Sequence, residues 1–207
     1  MVLGMTNAGR YIALEGAEGC GKSTHAARLA AALDAVLTRE TGGTHLGNEI
    51  RTLLHDPANT HLADKAEALL IAADRAQHLH ELVRPALTTG RHVVSDRSAF
   101  SSLAYQGYGR GLPLEIVREI SDWALDGHWP ELVILIDVPV ELLSERMAKR
   151  DLDRFEQADE AFHARVRAGF AEMAAADPDR WVVIDGTLEK DEVAHAIRTA
   201  TLTRLGI

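Results

Sequence analysis

Five short apolar runs divide the chain, and longer segments with helical periodicity separate them. The runs are residues 10–15, 35–39, 92–96, 132–137 and 181–185. Their continuous apolar character predicts strands that are buried in a sheet. Apolar residues recur with helical spacing over residues 23–33, 64–89, 114–127, 140–149, 156–176 and 189–204. Strands that alternate with helices predict an α/β fold, with a doubly wound, five-stranded parallel sheet flanked by helices.

Charged residues stand at or just after the ends of four predicted strands. They are Glu15, Arg39, Glu40, Asp96, Arg97 and Asp137. The carboxyl ends of parallel strands share one edge of the sheet, and ligands of such folds bind outside that edge. We therefore expect the functional site at this edge.

The first predicted strand leads into a glycine-rich segment of the form G-x-x-x-x-G-K-S. Its residues are Gly16, Ala17, Glu18, Gly19, Cys20, Gly21, Lys22 and Ser23. Between a strand and a helix, this pattern predicts a phosphate-binding P-loop whose backbone N–H groups cradle phosphates. Lys22 can reach the β- and γ-phosphates of a nucleoside triphosphate, and the Ser23 hydroxyl can ligate Mg²⁺. The flanking strand and helix disfavour the alternative, a glycine-rich turn that binds no nucleotide.

A second polar pair follows the strand predicted at residues 92–96. An acidic residue such as Asp96 at the end of a buried strand can hold Mg²⁺ or its waters in a P-loop enzyme. The neighbouring Arg97 can fork onto a phosphate. The alternatives are that Asp96 caps a helix and that Arg97 forms a structural ion pair with it.

Two other segments give weaker signals. Residues 38–44 place Arg39 beside two adjacent glycines, which let the backbone approach an anion closely, although a plain turn has the same composition. In the helix predicted at 64–89, Ile71 and Arg75 share a face and can line a pocket for a base. Arg75 can equally lie at the surface end of a core stripe.

Residues 144–157 carry four basic side chains, Arg146, Lys149, Arg150 and Arg154, among several acidic ones. One interpretation is a solvated, charged helix face. The other is a mobile lid whose arginines close over a phosphoryl group. The composition does not separate the two.

Net charge, cysteine content and the N-terminal residues limit the partners and the cellular location that we expect. The chain has 207 residues, a net charge of −9 and one cysteine. An acidic chain lacks the basic field that attracts nucleic acids or anionic membranes, so we expect neither as a partner. A single cysteine allows no disulfide within the chain, which suits a reducing cytoplasm, so we expect a cytoplasmic protein. Residues 1–9 lack a basic region and a long apolar stretch, so we expect no signal peptide. None of the ten histidines has metal-site spacing, so we expect no protein-built transition-metal site.

Five segments together resemble the bacterial thymidylate kinase family. Residues 15–24 resemble its P-loop, and residues 38–44 are similar to its T-R-E-P-G-G-T signature. Residues 69–78 resemble L-[LF]-[FY]-x-A-x-R-x-x-H, and residues 96–107 resemble D-R-Y-x-x-S-S-x-A-Y-Q-G. Residues 153–156 match the stretch after the family's lid. The resemblance spans residues 10–186, and the segment 96–107 is its most specific part.

The resemblance implies a P-loop nucleoside monophosphate kinase fold over residues 1–207, as a single domain with a lid at 145–157. The implied activity is ATP-dependent phosphorylation of thymidine 5′-monophosphate, with Mg²⁺ and in a homodimer. The implied ATP-binding residues are Gly16, Ala17, Glu18, Gly19, Cys20, Gly21, Lys22, Ser23, Thr24 and Arg146. The implied acceptor-binding residues are Glu18, Arg39, Arg51, Ile71, Arg75, Arg97, Ser102 and Gln106. Ser23 and Asp96 would hold Mg²⁺, and the implied catalytic residues are Lys22, Arg97, Arg150 and Glu18.

The chain departs from the family pattern at three positions. Thr41 replaces a proline, Ser98 replaces a tyrosine or histidine, and Ile71 replaces an aromatic residue that stacks on thymine. An aliphatic wall can still pack against a pyrimidine, but it leaves an altered acceptor open. The alternatives are therefore a kinase for another nucleoside monophosphate, a P-loop hydrolase or switch without an acceptor, and a paralogue that only binds nucleotide.

Overall fold

A computed structural model describes residues 9–147 and 153–207, with the backbone alone for residues 144–147. Its sheet has five parallel strands in the order β2-β3-β1-β4-β5. The strands are β1 (Tyr11–Glu15), β2 (Val36–Arg39), β3 (Val93–Asp96), β4 (Leu132–Asp137) and β5 (Trp181–Asp185). The predicted five-stranded parallel sheet is confirmed, with strand ends shifted by at most one residue.

Burial within the sheet follows strand position. All residues of the central strand β1 are buried, whereas the edge strands β2 and β5 are only partly buried. Leu37 on β2 and Val183 on β5 each keep about half of their surface exposed (50% and 55%). The prediction of buried strands is therefore wrong for these two, because an edge strand has a sheet neighbour on one side only.

Nine α-helices lie in the described part of the chain. They are α1 (Lys22–Leu33), α2 (His45–His55), α3 (Asp64–His78), α4 (Arg84–Thr88), α5 (Ala99–Ser102), α6 (Leu114–Leu125), α7 (Val140–Met147), α8 (Glu160–Ala176) and α9 (Lys190–Leu205). Two π-helical segments, Leu79–Val83 and Leu103–Gly109, continue α3 and α5.

Two predicted helices differ in the structure for identifiable reasons. The segment predicted at 64–89 changes to π-helical geometry at Leu79–Val83, next to Pro85, which has no N–H for the regular hydrogen bond. The segment predicted at 156–176 begins only at Glu160. The Asp159 carboxylate caps that helix by accepting a hydrogen bond from the Phe162 N–H at 2.7 Å.

Helix α2 and the helical segment from Ala99 to Gly109 were not predicted. Thr44 caps α2, because its hydroxyl oxygen accepts a hydrogen bond from the Gly47 N–H at 2.9 Å. The helix predicted at 114–127 ends at Leu125, where Asp126 adopts a left-handed conformation. The end of the helix predicted at 140–149 lies outside the described residues.

Two apolar layers cover the two faces of the sheet. Leu14 and Ile134 pack in the layer formed with α1 and α9, whereas Val133 and Leu135 pack with Phe100 and Phe170. This alternation is what a sheet covered by helices on both faces requires. None of the helices that the structure describes is long and apolar enough to cross a membrane.

Candidate functional site

A cavity of about 520 Å³ opens at the carboxyl ends of β1, β2 and β3. Its wall combines the P-loop and the segments that follow β2 and β3 with residues of α2 and α3. Fourteen of the residues predicted for the site line it: Glu18, Gly19, Gly21, Lys22, Ser23, Thr24, Arg39, Arg51, Ile71, Arg75, Asp96, Arg97, Ser102 and Gln106. The P-loop, the end of β2, α2, α3 and the segment after β3 each contribute predicted residues, so residues far apart in the chain line one cavity.

The P-loop is held by close backbone packing. Gly16 has φ +141°, and a Cβ atom there would lie 2.6 Å from the Ile136 carbonyl oxygen. The Lys22 ammonium donates a hydrogen bond to the Ala17 carbonyl at 2.7 Å. The Ser23 hydroxyl donates to the Asp96 carboxylate at 2.5 Å, so the two predicted metal-associated residues are in contact.

Three other predicted ATP-binding residues do not line the cavity. The Gly16 carbonyl accepts a hydrogen bond from Arg97, and the Ala17 carbonyl accepts the bond from Lys22. Cys20 is buried in the apolar layer with Ile12, where it packs as a small apolar residue. Their contact with ATP remains a prediction.

Arg97 lines the cavity, and its backbone is in the left-handed region with φ +72°. Its guanidinium donates to the Gly16 carbonyl, the Ser101 hydroxyl, the Tyr105 hydroxyl and the Glu18 carboxylate. Burial alone would lower the pKa of Arg97, but Glu18 and neighbouring oxygens hold it above its ordinary value. Arg97 thus pairs with Glu18, whereas the predicted structural alternative was an ion pair with Asp96.

Glu18 is the acidic residue inside the P-loop. Burial favours its neutral form, but the charges of Arg97 and Lys22 outweigh burial and lower its pKa to about 2. Glu18 is therefore ionised at neutral pH. It presents a carboxylate to the cavity between two cations.

Glu15, at the end of β1, holds the segment after Arg97 in place. Its buried carboxylate accepts hydrogen bonds from the Ser98 hydroxyl at 2.7 Å and the Ser101 hydroxyl at 2.6 Å. Burial raises the pKa of Glu15. Ser98, which departs from the family pattern, thus bonds to the strand beneath it.

Two arginines of the cavity flank the loop after β2: Arg39 ends the strand, and Arg51 lies on α2. The Arg39 guanidinium donates to the Gly42 carbonyl at 3.2 Å and to the Asn48 side-chain oxygen at 3.0 Å. Arg51, on α2, donates to the Thr41 carbonyl at 3.1 Å. Burial, followed by the charge of Arg39, lowers the pKa of Arg51.

Helix α3 places Ile71 and Arg75 against the cavity. Only 1% of the Arg75 surface is exposed, so the alternative of a surface arginine is wrong. Its guanidinium donates to Glu40 at 2.8 Å and to Ser102 at 2.9 Å. Burial disfavours the charge on Glu40, but Arg75 and then His78 lower its pKa.

Gln106 lies deep in the cavity wall. Its amide nitrogen donates to the buried Glu67 carboxylate at 2.8 Å. Within residues 9–147 and 153–207, its amide oxygen is buried and has no hydrogen-bond partner. A buried oxygen without a partner can accept a hydrogen bond from a ligand in the cavity.

Residues 153–156 dock on the end of α2. The Arg154 guanidinium donates to the Leu54 carbonyl at 2.7 Å and to Glu67 at 2.6 Å, and His55 Nδ1 lies 2.6 Å from the Asp153 carboxylate. Arg154 therefore does not belong to a solvated helix face. The predictions for Lys149 and Arg150 lie outside the described residues, and the side chain of Arg146, on α7, is also outside them.

Sequence reasoning missed several residues of the cavity wall as site residues. They are Glu40, Thr41, Leu54, His55, Ser98, Ser101, Tyr105, Asp153, Phe155 and Glu156. Tyr105 had a usable signal, because it stands in the segment 96–107. Phe155 had the same kind of signal, because it stands in residues 153–156. His55 had none, since its contact with Phe155 joins residues 100 positions apart.

The arrangement suits anionic ligands with an apolar part. Guanidinium, ammonium and carboxylate groups all line the cavity, and Ile71 and Phe155 supply apolar surface. Such a cavity can bind two phosphorylated groups close together and hold a ring against the apolar wall.

Comparison with known proteins extends over most of the chain. A family model described as Thymidylate kinase matches residues 14–197. The protein named thymidylate kinase of Trichlorobacter lovleyi is 44% identical over 209 residues, which cover 95% of this chain and 99% of the relative. That of Deinococcus radiodurans is 46% identical over 202 residues, with coverage of 95% and 98%.

A solved structure gives the same result at the level of the fold. The crystal structure of thymidylate kinase from Ehrlichia chaffeensis matches with a TM-score of 0.78 and 30% sequence identity. The match covers 94% of this chain and 98% of that chain. It confirms the predicted fold class.

Proposed function

Because this chain belongs to the thymidylate kinase family, we propose that it transfers the γ-phosphoryl group of ATP to thymidine 5′-monophosphate. The products are ADP and thymidine 5′-diphosphate. One observation carries this proposal: the P-loop residues Lys22 and Ser23 line the same cavity as Arg39, Arg75 and Gln106. A P-loop hydrolase without an acceptor does not need the second set of residues, Arg39, Arg75 and Gln106.

The acceptor's own charge simplifies the chemistry. A phosphate monoester has a second pKa near 6, so it is mostly a dianion at neutral pH. The attacking oxygen therefore carries no proton, and the reaction needs no general base. The enzyme must instead bring two polyanions together in line and offset their repulsion.

Arginines and Lys22 provide this charge compensation. Arg39 and Arg97 bind the acceptor phosphate, and Lys22 binds the phosphates of ATP together with the P-loop amides. The fixed hydrogen bonds of Arg97 support this role, because they orient its guanidinium before the acceptor arrives. Arg146 and Arg150 complete the ATP side, with Arg150 acting on the transferred group.

Mg²⁺ fits the pair formed by Ser23 and Asp96. A hydroxyl and a carboxylate in contact at 2.5 Å are hard oxygen donors of the kind that Mg²⁺ prefers. These two residues would hold the ion or its waters, and the ion would neutralise charge on the ATP phosphates.

The remaining residues recognise the nucleoside. Arg75 and Gln106 hydrogen-bond the edge of the thymine with help from Ser102, while Arg51 approaches the base and Ile71 packs against it. The buried Gln106 oxygen supports this assignment, because thymine offers an N–H donor that satisfies it. Glu18 faces the sugar of the acceptor.

A panel of monophosphates tests the acceptor. ADP release is measured with ATP and Mg²⁺ against the monophosphates of thymidine, deoxyuridine, deoxycytidine, uridine and guanosine. We expect the highest kcat/KM with thymidine 5′-monophosphate. Preference for another acceptor would contradict the substrate and would identify Ile71 and Ser98 as the first positions to exchange.

We also propose a cytoplasmic homodimer of chains that each form a single domain. Helices α2, α3 and α6 expose large apolar side chains, of which Trp123 is 84% and Leu69 is 57% exposed. Burying such side chains favours association. Light scattering at micromolar concentration should give twice the 22.6 kDa of one chain, and a mass of one chain would contradict the dimer.

A further inference from the structure

We infer that Asp74 is a positioning residue for the acceptor phosphate, because it holds the loop after β2 in the conformation that presents Arg39 to the cavity. The inference rests on the proposed function, in which Arg39 binds that phosphate. Asp74 itself does not line the cavity. It acts through the backbone of Gly42.

Two hydrogen bonds connect Asp74 to Arg39 through one residue. Asp74 Oδ1 accepts a bond from the Gly42 N–H at 2.9 Å, and the Gly42 carbonyl accepts a bond from Arg39 Nε at 3.2 Å. Arg39 is otherwise exposed, and its second bond is to Asn48. Displacement of Gly42 therefore removes one of the two bonds that orient the guanidinium.

The packing around Gly42 leaves it little freedom to move. A Cβ atom on Gly42 would lie 2.8 Å from Arg51 Cδ, and one on Gly47 would lie 2.2 Å from Asp74 Oδ1. Helix α2, helix α3 and the loop after β2 thus meet at the Asp74 carboxylate. An ångström of movement at such a contact is enough to misplace a phosphate-binding group.

Burying the Asp74 carboxylate in this space costs folding free energy. Asp74 is fully buried, and its Oδ2 atom has no hydrogen-bond partner among the residues that the structure describes. The titratable groups facing it are Glu40, directly after β2, and Arg75 and His78 on its own helix. An unsatisfied buried carboxylate destabilises a fold, so an organising role for its other oxygen explains its presence better than packing does.

Helix α3 contributes to the binding of both the base and the phosphate of the proposed acceptor. Its residues Ile71 and Arg75 line the cavity where the base is proposed to bind. Asp74, next to Arg75 in the chain, holds the loop that presents Arg39. Helix α3 thereby sets the distance between the proposed base site and the proposed phosphate site.

A double-mutant cycle tests whether Asp74 acts through Arg39. We expect Asp74→Ala to raise the KM for thymidine 5′-monophosphate about tenfold, with kcat and the KM for ATP within about twofold of wild type. In an Arg39→Ala background, the same change should have no further effect on that KM. Thr201→Ala, which removes a buried hydrogen bond within α9, is the matched control and should leave both KM values unchanged.

Amide exchange at Gly42 gives a readout that does not depend on the reaction. In Asp74→Ala the Gly42 amide should exchange at least about tenfold faster than in wild type, whereas Asp74→Asn, which keeps an acceptor oxygen, should restore its protection. Asp74→Val replaces the alanine variant if that variant does not fold. Unchanged Gly42 exchange, or an equal rise in KM in both backgrounds, would overturn the inference. Absence of turnover in wild type would overturn the proposed function alone.

Discussion

At the scale of single residues, Arg97 is a charged group of the cavity that is held by an unusual backbone conformation and by several hydrogen bonds. Its backbone is left-handed, a conformation that costs a non-glycine residue about 1–3 kcal/mol and persists only where surrounding contacts fix it. The bonds to the Gly16 carbonyl and the Ser101 hydroxyl are such contacts. The chain thus maintains a strained residue at the position where we propose that the acceptor phosphate binds.

We predict that Arg97→Ala lowers kcat/KM for the acceptor by about 10²–10³-fold, because it removes a preoriented donor from the charge that develops during transfer. Arg97→Lys, the matched control, keeps the charge but loses the planar fork, so it should recover only part of the activity. Steady-state kinetics with varied acceptor measures both. Wild-type turnover and acceptor affinity in the alanine variant would refute the assignment.

Ile71 allows a prediction about the base. Stacking of a base on an aromatic ring contributes about 1–3 kcal/mol, so Ile71→Phe should tighten binding of thymidine 5′-monophosphate several-fold. Because Ile71 is largely buried, the same change should also lower the melting temperature. Titration calorimetry measures the Kd, and Ile71→Leu is the control of similar size. Weaker binding of the phenylalanine variant would argue against a base at this wall.

At the scale of elements, the P-loop depends on glycine for two separable reasons. Gly16 has a positive φ, and it also lacks room for a Cβ atom beside the Ile136 carbonyl. Gly111 has φ +76° but has nothing within 4 Å of such an atom. The two positions therefore separate backbone strain from steric clash.

We predict that Gly111→Ala costs about 1 kcal/mol of unfolding free energy and leaves ATP binding unchanged. Gly16→Ala should cost more and weaken ATP binding at least about tenfold, because the clash displaces the loop. Urea unfolding and equilibrium ATP binding measure the two effects. Equal stability losses with intact ATP binding would show that the close contact at Gly16 does not matter.

The elements also show what a sequence pattern can predict. The strands were predictable because their apolar runs are continuous, and the carboxyl-end location of the site followed from the parallel sheet. Helix α2 was not predictable, because Gly47 lies in its first turn and the Thr44 cap becomes visible only in the structure. The π-helical turn at Leu79–Val83 was missed because its pattern continues that of α3.

The cavity lining was predictable where a local motif points to phosphate chemistry, as at Lys22 and Arg97. Arg75 could not be separated from a surface arginine by its spacing, because its buried hydrogen-bond partners Glu40 and Ser102 lie 35 and 27 positions away. The same reason applies to Asp74. Its contact with Gly42 joins residues 32 positions apart.

At the scale of the whole molecule, two carboxylates make opposite contributions to the pH dependence of stability. The pKa of Glu18 is lowered to about 2, so its stabilising charge is present above pH 4.5 and is lost as the pH falls toward 2. Burial, followed by the charge of Glu40, raises the pKa of Asp74 to about 6. Its protonated form stabilises the fold below pH 3.8, and this stabilisation is lost as the pH rises through 6.

We therefore predict that the unfolding free energy of Asp74→Asn rises relative to wild type by about 1–3 kcal/mol between pH 4 and pH 7. Asparagine cannot ionise, so the variant does not lose the unfolding free energy that wild type loses when Asp74 ionises between these pH values. Urea unfolding at four pH values measures the difference. A difference that does not change with pH would mean that folding does not raise the pKa of Asp74.

Transfer of labelled phosphate from ATP tests the central claim most directly. The wild-type protein is incubated with γ-labelled ATP and Mg²⁺, with and without thymidine 5′-monophosphate, and the labelled products are separated. The proposed function predicts that the label appears in thymidine 5′-diphosphate and that little is released when the acceptor is absent. Label that appears as inorganic phosphate at the same rate with and without the acceptor would contradict it.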